Sequence, residues 1–472
     1  MTVRRAVCLI VLLLLPAGCG RDNDVHKDAI QSTLSDTPAW VDRTALGKRL
    51  WEIERQFYEA RGYLPAWIDG DRTTPQLKVL IEQFRYSEVH GLDPAAYPIE
   101  QYERIREESQ TFMGTRFDTA GVPELDARLT YGYLRYAADL LGWSDKPESI
   151  ARTWLTQPRE EDLTARLAGA IQSNRVRESL EELAPSHQQY KGLAAALAHE
   201  RRQPTGQADR IRLNMERWRW VPRDLGKRYV LINVPAYSLQ VMEGDKPVLA
   251  MRVIVGKRDT PTPLFSDEMT YIVFSPYWNI PENILRDETL PRAARDPDFL
   301  NRNNIEVVGT SGSVDPWSID WEDESITSTV RLRQRPGPDN ALGLVKFIFP
   351  NNFSIYLHDT PTDRLFFRDT RTFSHGCIRI EDPVAMAEYV LGDQSAWTAG
   401  RITSAMHAGR EQHVKLTDPL PVHIGYWTAW VQPDGSVTFT DDPYRLDDRH
   451  LELVNHRHPA LQGGSRPIQK TS

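Results

Sequence analysis

Cysteine is scarce in this 472-residue chain, which has three, and two of them, Cys8 and Cys19, lie within the first twenty positions. A framework of several disulfides is therefore excluded for the rest of the chain. Long apolar runs are scarce too, because residues 6–15 form a run too short for the about 20 residues of a membrane-spanning helix and no other segment reaches that length. Excess positive charge is also lacking. The net charge of -8 argues against a protein that binds nucleic acid.

The N-terminus has the pattern of an export signal. Two arginines precede the apolar run of residues 6–15, as in a signal peptide. The sequence Pro-Ala-Gly-Cys that ends at Cys19 resembles a bacterial lipobox, with proline where an aliphatic or small residue is usual. We therefore expect a signal peptide and lipobox over residues 1–19 and a periplasmic chain, with ordinary cleavage as the open alternative. Because Gly20 follows Cys19, the resemblance implies lipid attachment to the outer membrane.

Export would leave Cys377 without a partner in the chain, because Cys8 would be removed and Cys19 lipidated or lost. Paired cysteines become disulfides in an oxidising compartment, so an odd thiol there is either a liability or a reactive group. A buried, inert cysteine is the plain alternative. The neighbours of Cys377, Ser-His-Gly before it and Ile-Arg after it, favour a reactive thiol.

The period of the apolar residues changes once along the chain. Residues 45–62, 74–89 and 125–143 have helical spacing, and a linker with Pro and Gly follows at residues 201–207. Short β-branched runs come next, among them residues 228–234, 248–255 and 353–357. Helices first and strands later predict separate domains, hence a multidomain α + β chain.

A cysteine nucleophile needs help from a base, and two histidines are candidates. His375 precedes Cys377 by two residues, whereas His358 ends the strand-like run of residues 353–358. Fifteen residues, 359 to 373, separate His358 from Ser374. If this run and the segment that ends at Cys377 are adjacent strands, His358 and Cys377 face each other.

The residues around Cys377 also suit an acyl-transfer site. Gly376 has no Cβ, which lets a substrate carbonyl approach the backbone, and the N–H groups near Gly376 and Cys377 suit an oxyanion hole. Arg379 lies two residues further on, on the same side of a continuing strand, where it would bind a substrate carboxylate or brace the loop.

The pattern His-x15-Ser-His-Gly-Cys-Ile-Arg is similar to the signature of the L,D-transpeptidases, cysteine enzymes with a YkuD-type catalytic domain that crosslink peptidoglycan. The stretches RIRLNMERWRWVP, TPTPLF, SPYWNIPENIL and GYLPAW resemble its large, scaffold-bearing Gram-negative branch. This resemblance covers most of residues 45–440. Larger relatives carry a small peptidoglycan-binding domain before the catalytic domain, and only about ten residues lie between Ala198 and Arg210, too few for one. Substrate docking is therefore expected to rest on the scaffold, the insertion or a partner.

With this resemblance, four segments are predicted after the signal peptide, the third with an insertion. Residues 20–42 form a flexible tether and residues 43–203 a helical scaffold domain. Residues 208–446 form a mainly-β L,D-transpeptidase catalytic domain with a capping insertion at about 284–340. Residues 447–472 form a disordered tail.

The resemblance also implies individual roles. Cys377 is the nucleophile that accepts the acyl group, and His358 is the general base, oriented by the carbonyl of Asp359. His375 and Gly376 shape the oxyanion site together with Cys377.

Three further residues are expected to contact substrate or to support the site: Ser374, Arg379 and Tyr356. The implied reaction is a 3→3 crosslink between peptidoglycan stem peptides through a cysteine thioester, without metal or organic cofactor. Stem peptides are the expected partners, other wall-synthesis proteins stay open, and nucleic acid is not expected.

Rival classes fit the sequence less well. A papain-like hydrolase needs a distant Asn after the cysteine, but none lies between Cys377 and Asn455, and a zinc hydrolase lacks an HExxH helix. A hydrolytic or non-catalytic wall-binding lipoprotein related to the family stays open.

Overall fold

The protein is described by a computed structural model that covers residues 23–111, 114–115, 121–143, 154–155, 159–310, 312–321, 323 and 325–455. The predicted signal peptide and lipobox, with Cys19, lie outside these residues. Within them, no helix is long and apolar enough to cross a membrane.

Helices dominate the first half of the described chain, as the helical spacing of its apolar residues predicts. The long helix Val122–Leu140 is buried on nearly every side, which places it at the centre of the helical core. The bounds are α1 Asn23–Thr33, α2 Ala45–Ala60, α3 Pro75–Tyr86, α4 Ile99–Glu108, α5 Val122–Leu140, α6 Leu163–Gln172, α7 Val176–Glu181, α8 Gln188–Arg202 and α9 Ala208–Arg219, with two-residue strand pairs at 68–69 with 72–73 and 110–111 with 114–115.

The flexible tether predicted over residues 20–42 is wrong for its described part. Helix α1 packs against α5, and Ile30 and Val41 are fully buried in the helical core. Trp40 packs edge-on against Trp51 at 5.7 Å between ring centroids. The segment is polar overall, but its large apolar residues Ile30, Leu34, Trp40 and Val41 all reach the core.

Strands and three helices make up the second half outside the insertion. The strand bounds are β1 Arg228–Asn233, β2 Ser238–Glu243, β3 Lys246–Gly256, β4 Ser266–Phe274, β5 Trp278–Asn279, β6 Ile305–Gly309, β7 Gly312–Val314, β8 Arg331–Gln334, β9 Val345–Ile348, β10 Leu357–His358, β11 Thr372–Ser374, β12 Ile378–Ile380, β13 Gln412–Gly425, β14 Ala429–Val431 and β15 Val437–Phe439. The predicted fold class, a helical domain followed by a mainly-β domain, is confirmed.

The large sheet has the strand order β11-β3-β12-β10-β9-β4-β13-β1-β2, and a further pairing of β2 with β3 closes it on itself. Its apolar side chains are buried in one core, to which helices α8 and α9 also contribute. The strand predicted at residues 353–357 is wrong, because β10 begins only at Leu357. Asn351 holds the preceding loop through hydrogen bonds to Phe353 and Ile355, which replace the strand ladder there.

The insertion after β4 has a core of its own. Strands β5 to β8 form a separate antiparallel sheet in the order β7-β6-β8-β5. Helices α10 Glu282–Ile284, α11 Leu290–Arg295, α12 Asp298–Arg302 and α13 Ile326–Thr329 pack on it, and a π-helical turn, Leu285–Thr289, joins the first two. Residues between 280 and 332 form the small apolar cluster that holds this part together. The predicted insertion of about 284–340 falls in this region, and its limits stay a prediction.

The disordered tail predicted from residue 447 is also wrong for its described part. After α14 Pro383–Leu391 and α15 Ala399–Met406, the chain ends its described course in helix α16, Asp447–Asn455. Asp447 forms an ion pair of 2.7 Å with the fully buried Arg217, and His450 is fully buried beside it. A buried guanidinium requires such a partner. Because the helix is attached through polar side chains, its sequence shows no periodic apolar pattern that would predict it.

Polar contacts join the helical half to the mainly-β half. Arg219 of α9 is buried and pairs with Glu216 at 2.7 Å. Its second nitrogen donates to the hydroxyl of Tyr190 on α8 at 3.0 Å and to the carbonyl of His90 in the helical domain. A buried guanidinium is stable only with such partners, so Arg219 forms a specific contact between the two halves.

Candidate active site

The loop that carries Cys377 lies between two strands that share one neighbour. Strand β11 ends at Ser374 and β12 begins at Ile378, and both pair with β3. Strand β10 runs parallel to β12 with His358 opposite Arg379. The two parts of the sequence pattern therefore lie on adjacent strands.

His358 is buried with a defined tautomer. Its Nδ1 lies 2.6 Å from the backbone carbonyl oxygen of Asp359. Because a carbonyl only accepts, Nδ1 carries the hydrogen and Nε2 is the free acceptor of the ring. Burial lowers the pKa of His358 to about 3, and the nearby Arg379 cation acts in the same direction. The imidazole is therefore neutral at pH 7, as a general base must be.

The Asp359 carboxylate fixes the residue whose carbonyl orients His358. It accepts hydrogen bonds of 2.7 Å from the N–H groups of Leu344 and Thr360. The Asp359 N–H in turn donates to the carbonyl of Val345 at 3.0 Å. Burial raises the pKa of Asp359, and the two N–H donors oppose that shift. The sequence analysis predicts the role of the Asp359 carbonyl but not that of its carboxylate, which fixes the position of the residue.

Gly343→Ala is expected to destabilise the protein and lower its activity together. Gly343 has φ +61°, and a Cβ there would lie 2.3 Å from the Asp359 side chain. The left-handed backbone alone costs about 1–2 kcal/mol for a residue with a Cβ, and the carboxylate must also move, which releases the His358 ring. Thermal unfolding and turnover are the measurements.

Gly409→Ala is the matched control, because Gly409 has φ +62° with nothing within 4 Å of its would-be Cβ. It should show the backbone cost without the loss of activity. Equal activity in the two variants would contradict the anchoring role of Asp359.

Cys377 is the one cysteine among the residues that the structure describes, and it is a free thiol. Its Sγ lies 3.6 Å from the carbonyl oxygen of Ser354. Burial raises the pKa of Cys377, whereas the backbone N–H and the hydroxyl of Tyr356, followed by the Arg379 cation, lower it. The net direction is upward, so the resting side chain is a thiol at neutral pH and must lose its proton during attack.

The loop before Cys377 is held by hydrogen bonds of its own. Gly376, at φ +116°, donates its N–H to Ser374 Oγ at 3.1 Å, and its carbonyl accepts from Thr262 Oγ1 at 2.7 Å. Ser374 Oγ also donates to the Cys377 carbonyl at 2.5 Å. The oxyanion-donor role expected of the Gly376 N–H is therefore not what the structure gives, since that hydrogen stays within the loop.

His375 points toward the insertion. Its Nε2 lies 2.9 Å from Oε1 of Glu288 in the π-helical turn Leu285–Thr289. This contact ties the Cys377 loop to the insertion, so His375 contributes to the shape of the site from this side. Glu288 could not be recognised from the sequence, because the charged insertion has no period that singles it out.

Two cations face the same space as His358 and Cys377. Arg379 donates to Thr362 Oγ1 at 3.2 Å, and its Nε has no partner among the described residues. Lys346 lies 6.0 Å from the centre of the Tyr356 ring. Burial lowers the pKa of both cations, so a bound carboxylate would relieve a desolvation cost.

Lys346 is a residue that the sequence reasoning missed. It could have been noticed as the single charged residue within the apolar run of β9, Val345–Ile348. In the structure, strand register places it opposite His358.

These side chains line a cavity of about 730 Å³ between the large sheet and the insertion. The predicted residues that line it are Tyr356, His358, Ser374, His375, Cys377 and Arg379. Trp278, Ile284 and Glu288 of the insertion form the opposite wall. Among the described residues, no group of three or more His, Cys, Asp or Glu side chains is placed to hold a metal ion.

Comparison with known proteins identifies both halves of the chain. Residues 227–424 match the family described as the L,D-transpeptidase catalytic domain, and residues 54–197 match the Scaffold domain. A Haemophilus influenzae protein named "Putative L,D-transpeptidase" is 27% identical over 411 residues, which are 84% of this chain and 78% of the relative.

Two solved structures are also similar. The L,D-transpeptidase from Mycobacterium smegmatis has a TM-score of 0.19 and 13% identity over 42% of this chain. L,D-transpeptidase 1 of Mycobacterium tuberculosis has a TM-score of 0.16 and 12% identity over 42% of this chain. These alignments cover 58% and 60% of the two mycobacterial chains, less than two thirds of either.

Proposed function

The chain carries an L,D-transpeptidase catalytic domain joined to a Scaffold domain, and on this premise we propose that it is a cysteine-dependent enzyme that forms 3→3 crosslinks in peptidoglycan. The arrangement of Cys377 and His358 carries the proposal. His358 borders the cavity from β10 and Cys377 from the loop just before the parallel strand β12, and the His358 hydrogen sits on Nδ1. A nucleophile and a neutral base in one site are the elements of covalent acyl transfer.

The first half-reaction forms a thioester. Sγ of Cys377 attacks the carbonyl between meso-diaminopimelate and the terminal D-alanine of a donor tetrapeptide stem, and its proton passes to Nε2 of His358. The Tyr356 hydroxyl and the Cys377 N–H stabilise the oxyanion of the tetrahedral intermediate. When the C–N bond breaks, the D-alanine amine takes the proton from Nε2 and leaves.

The second half-reaction transfers the acyl group. The side-chain amine of diaminopimelate in a second stem attacks the thioester carbonyl and loses a proton to His358. The C–S bond breaks, the proton returns to Sγ of Cys377, and the 3→3 amide is released. Water in place of the amine would give hydrolysis, which is the alternative reaction of the same thioester.

Charge in the cavity supports an acidic donor stem. Arg379 and Lys346 stand beside the nucleophile, and stem peptides carry carboxylates next to the reacting carbonyl. A guanidinium with an unused Nε is suited to a carboxylate in this setting.

The N-terminal pattern supports a proposal for the cellular location. We propose a periplasmic protein attached to the outer membrane through a lipid on Cys19, which the lipobox-like sequence supports. Metabolic labelling with palmitate should mark the wild-type protein and leave Cys19→Ala unlabelled. Equal labelling of the two proteins, or labelling of neither, would reject the anchor.

Intact-mass spectrometry and muropeptide analysis test the reaction. The purified protein is incubated with a carbapenem and, separately, with a disaccharide-tetrapeptide, beside Cys377→Ala. An adduct and a dimeric muropeptide, both absent in the variant, are the expected result. An adduct with only shortened muropeptide would make the protein a hydrolase, and neither signal from folded protein would make it a non-catalytic wall-binding protein.

A further inference from the structure

A second, larger cavity lies between the two halves of the molecule. Its volume is about 820 Å³. One wall comes from the end of α5 and residues 159–161, and the other from the start of β4 and the loop of residues 350–353. We call it the interdomain groove. The reaction proposed above makes no use of it.

The groove adjoins the active site through one aromatic residue. Phe353 lines both cavities and is 42% exposed. The next residue is Ser354, whose carbonyl contacts Sγ of Cys377. Consecutive Cα atoms are about 3.8 Å apart, and an extended peptide advances about 3.3–3.6 Å per residue. A donor stem of three residues before the scissile bond is therefore long enough to reach from the groove to Cys377.

The charges of the groove favour a neutral ligand. Arg159, Arg223, Glu160 and Asp267 all line it, while Glu161 is neutralised by its 2.6 Å ion pair with Arg166. Two cations against two carboxylates leave little net charge, so neither a polyanion nor a basic chain is selected.

The groups that line the groove suit a sugar chain. Asn352 is exposed at the rim, and the amide and charged side chains offer both donors and acceptors, as hydroxyl and acetamido groups require. Phe353 packs at 5.2 Å against Phe265, which gives the groove an aromatic surface for the apolar face of a sugar ring.

We propose that the interdomain groove binds the glycan strand that carries the donor stem, with the stem passing Phe353 to reach Cys377. This inference rests on the proposed function, because the glycan strand belongs to the same substrate as the donor stem and lies outside the active-site cavity. Binding energy gained on the remote glycan would then be used to place the stem for reaction.

The test compares two donors, a free tetrapeptide and the same tetrapeptide on a disaccharide. Asn352→Trp adds bulk at the rim of the groove, at a residue that does not line the active-site cavity, and Arg223→Ala removes one of the groove's cations. Both should lower kcat/KM by roughly tenfold or more on the glycan-bearing donor and leave the free tetrapeptide unchanged. Arg410→Ala, an exposed arginine outside the groove, is the control and should change neither donor.

A binding measurement tests the groove without relying on catalytic turnover. Stem-free glycan chains, released from peptidoglycan by an amidase, are titrated into the full-length protein by calorimetry. Binding that Asn352→Trp abolishes supports the groove even if the reaction proposed above fails. No binding, equal binding in the variant, or an equal loss of kcat/KM on both donors would overturn it.

Discussion

Replacing Cys377 by alanine is expected to abolish crosslink formation, by about 10⁴-fold or more, and to remove the covalent adduct with a carbapenem. The reason is chemical, because Cys377 is the one thiol among the described residues and it borders the cavity that holds His358. Its Sγ contacts the Ser354 carbonyl at 3.6 Å and lies beside the N–H and the hydroxyl of Tyr356. Because a thiol forms only weak hydrogen bonds, the melting temperature should change little. Dimeric muropeptide is measured by liquid chromatography and mass spectrometry, and folding by thermal unfolding.

Cys377→Ser separates nucleophilicity from shape. A hydroxyl fits the same space, but its far higher pKa makes it a poor nucleophile beside a base of low pKa. Serine should therefore be nearly as inactive as alanine. Crosslinking by the alanine variant at more than a few per cent of the wild-type rate would reject the thioester route.

The parts of the fold that follow a simple period were predictable from the sequence. The β-branched runs of β1 and β3 lie where their patterns place them, because consecutive apolar side chains there are buried in one large core. The sequence raises the adjacency of the His358 and Cys377 segments only as a condition, and the structure meets it with β10 beside β12, the strand that begins just after Cys377. Residues 353–357 look equally strand-like but form a loop, since the Asn351 side chain takes the hydrogen bonds that a neighbouring strand would have supplied.

Contacts between distant polar residues were not predictable. The pair of His375 and Glu288 and the pair of Arg217 and Asp447 join segments that no period relates. The same reason explains why the sequence predicts a disordered tail from residue 447. The close approach of the Asp359 carboxylate to Gly343 is also a tertiary feature. The sequence shows the glycine at position 343 but not the left-handed backbone that requires it.

His358→Ala is expected to lower kcat/KM by about 10²–10⁴-fold at pH 7.5, the usual contribution of a general base. His375→Ala is the matched control, because His375 is the other histidine near Cys377 and its Nε2 is engaged by Glu288. The control should keep most of the activity. Full activity of His358→Ala, or an equal loss in both variants, would reject His358 as the base.

The pH dependence of the two proteins distinguishes a chemical role of His358 from a structural one. In the wild type, the His358 pKa is about 3 and the Cys377 pKa is raised above its usual value, so neutral base and neutral thiol coexist across neutral pH. The wild-type kcat/KM should therefore be nearly flat between about pH 6.5 and 9. In His358→Ala, attack needs preformed thiolate, so the residual rate should rise about tenfold per pH unit over that range.

The titration of His358 does not change the stability of the protein within this range. The folded pKa of His358 lies below the about 6.5 of an unfolded histidine, so the unfolded chain gains the proton first, and the contribution of His358 to stability is lost only as the pH drops from about 6.5 toward 3. A thiolate–imidazolium pair at rest would need the opposite shifts, a lowered cysteine pKa and a raised histidine pKa. It would give fast alkylation of Cys377 by iodoacetamide already at pH 6. Slow alkylation at pH 6 that accelerates through pH 9 is the outcome that the burial of both groups requires.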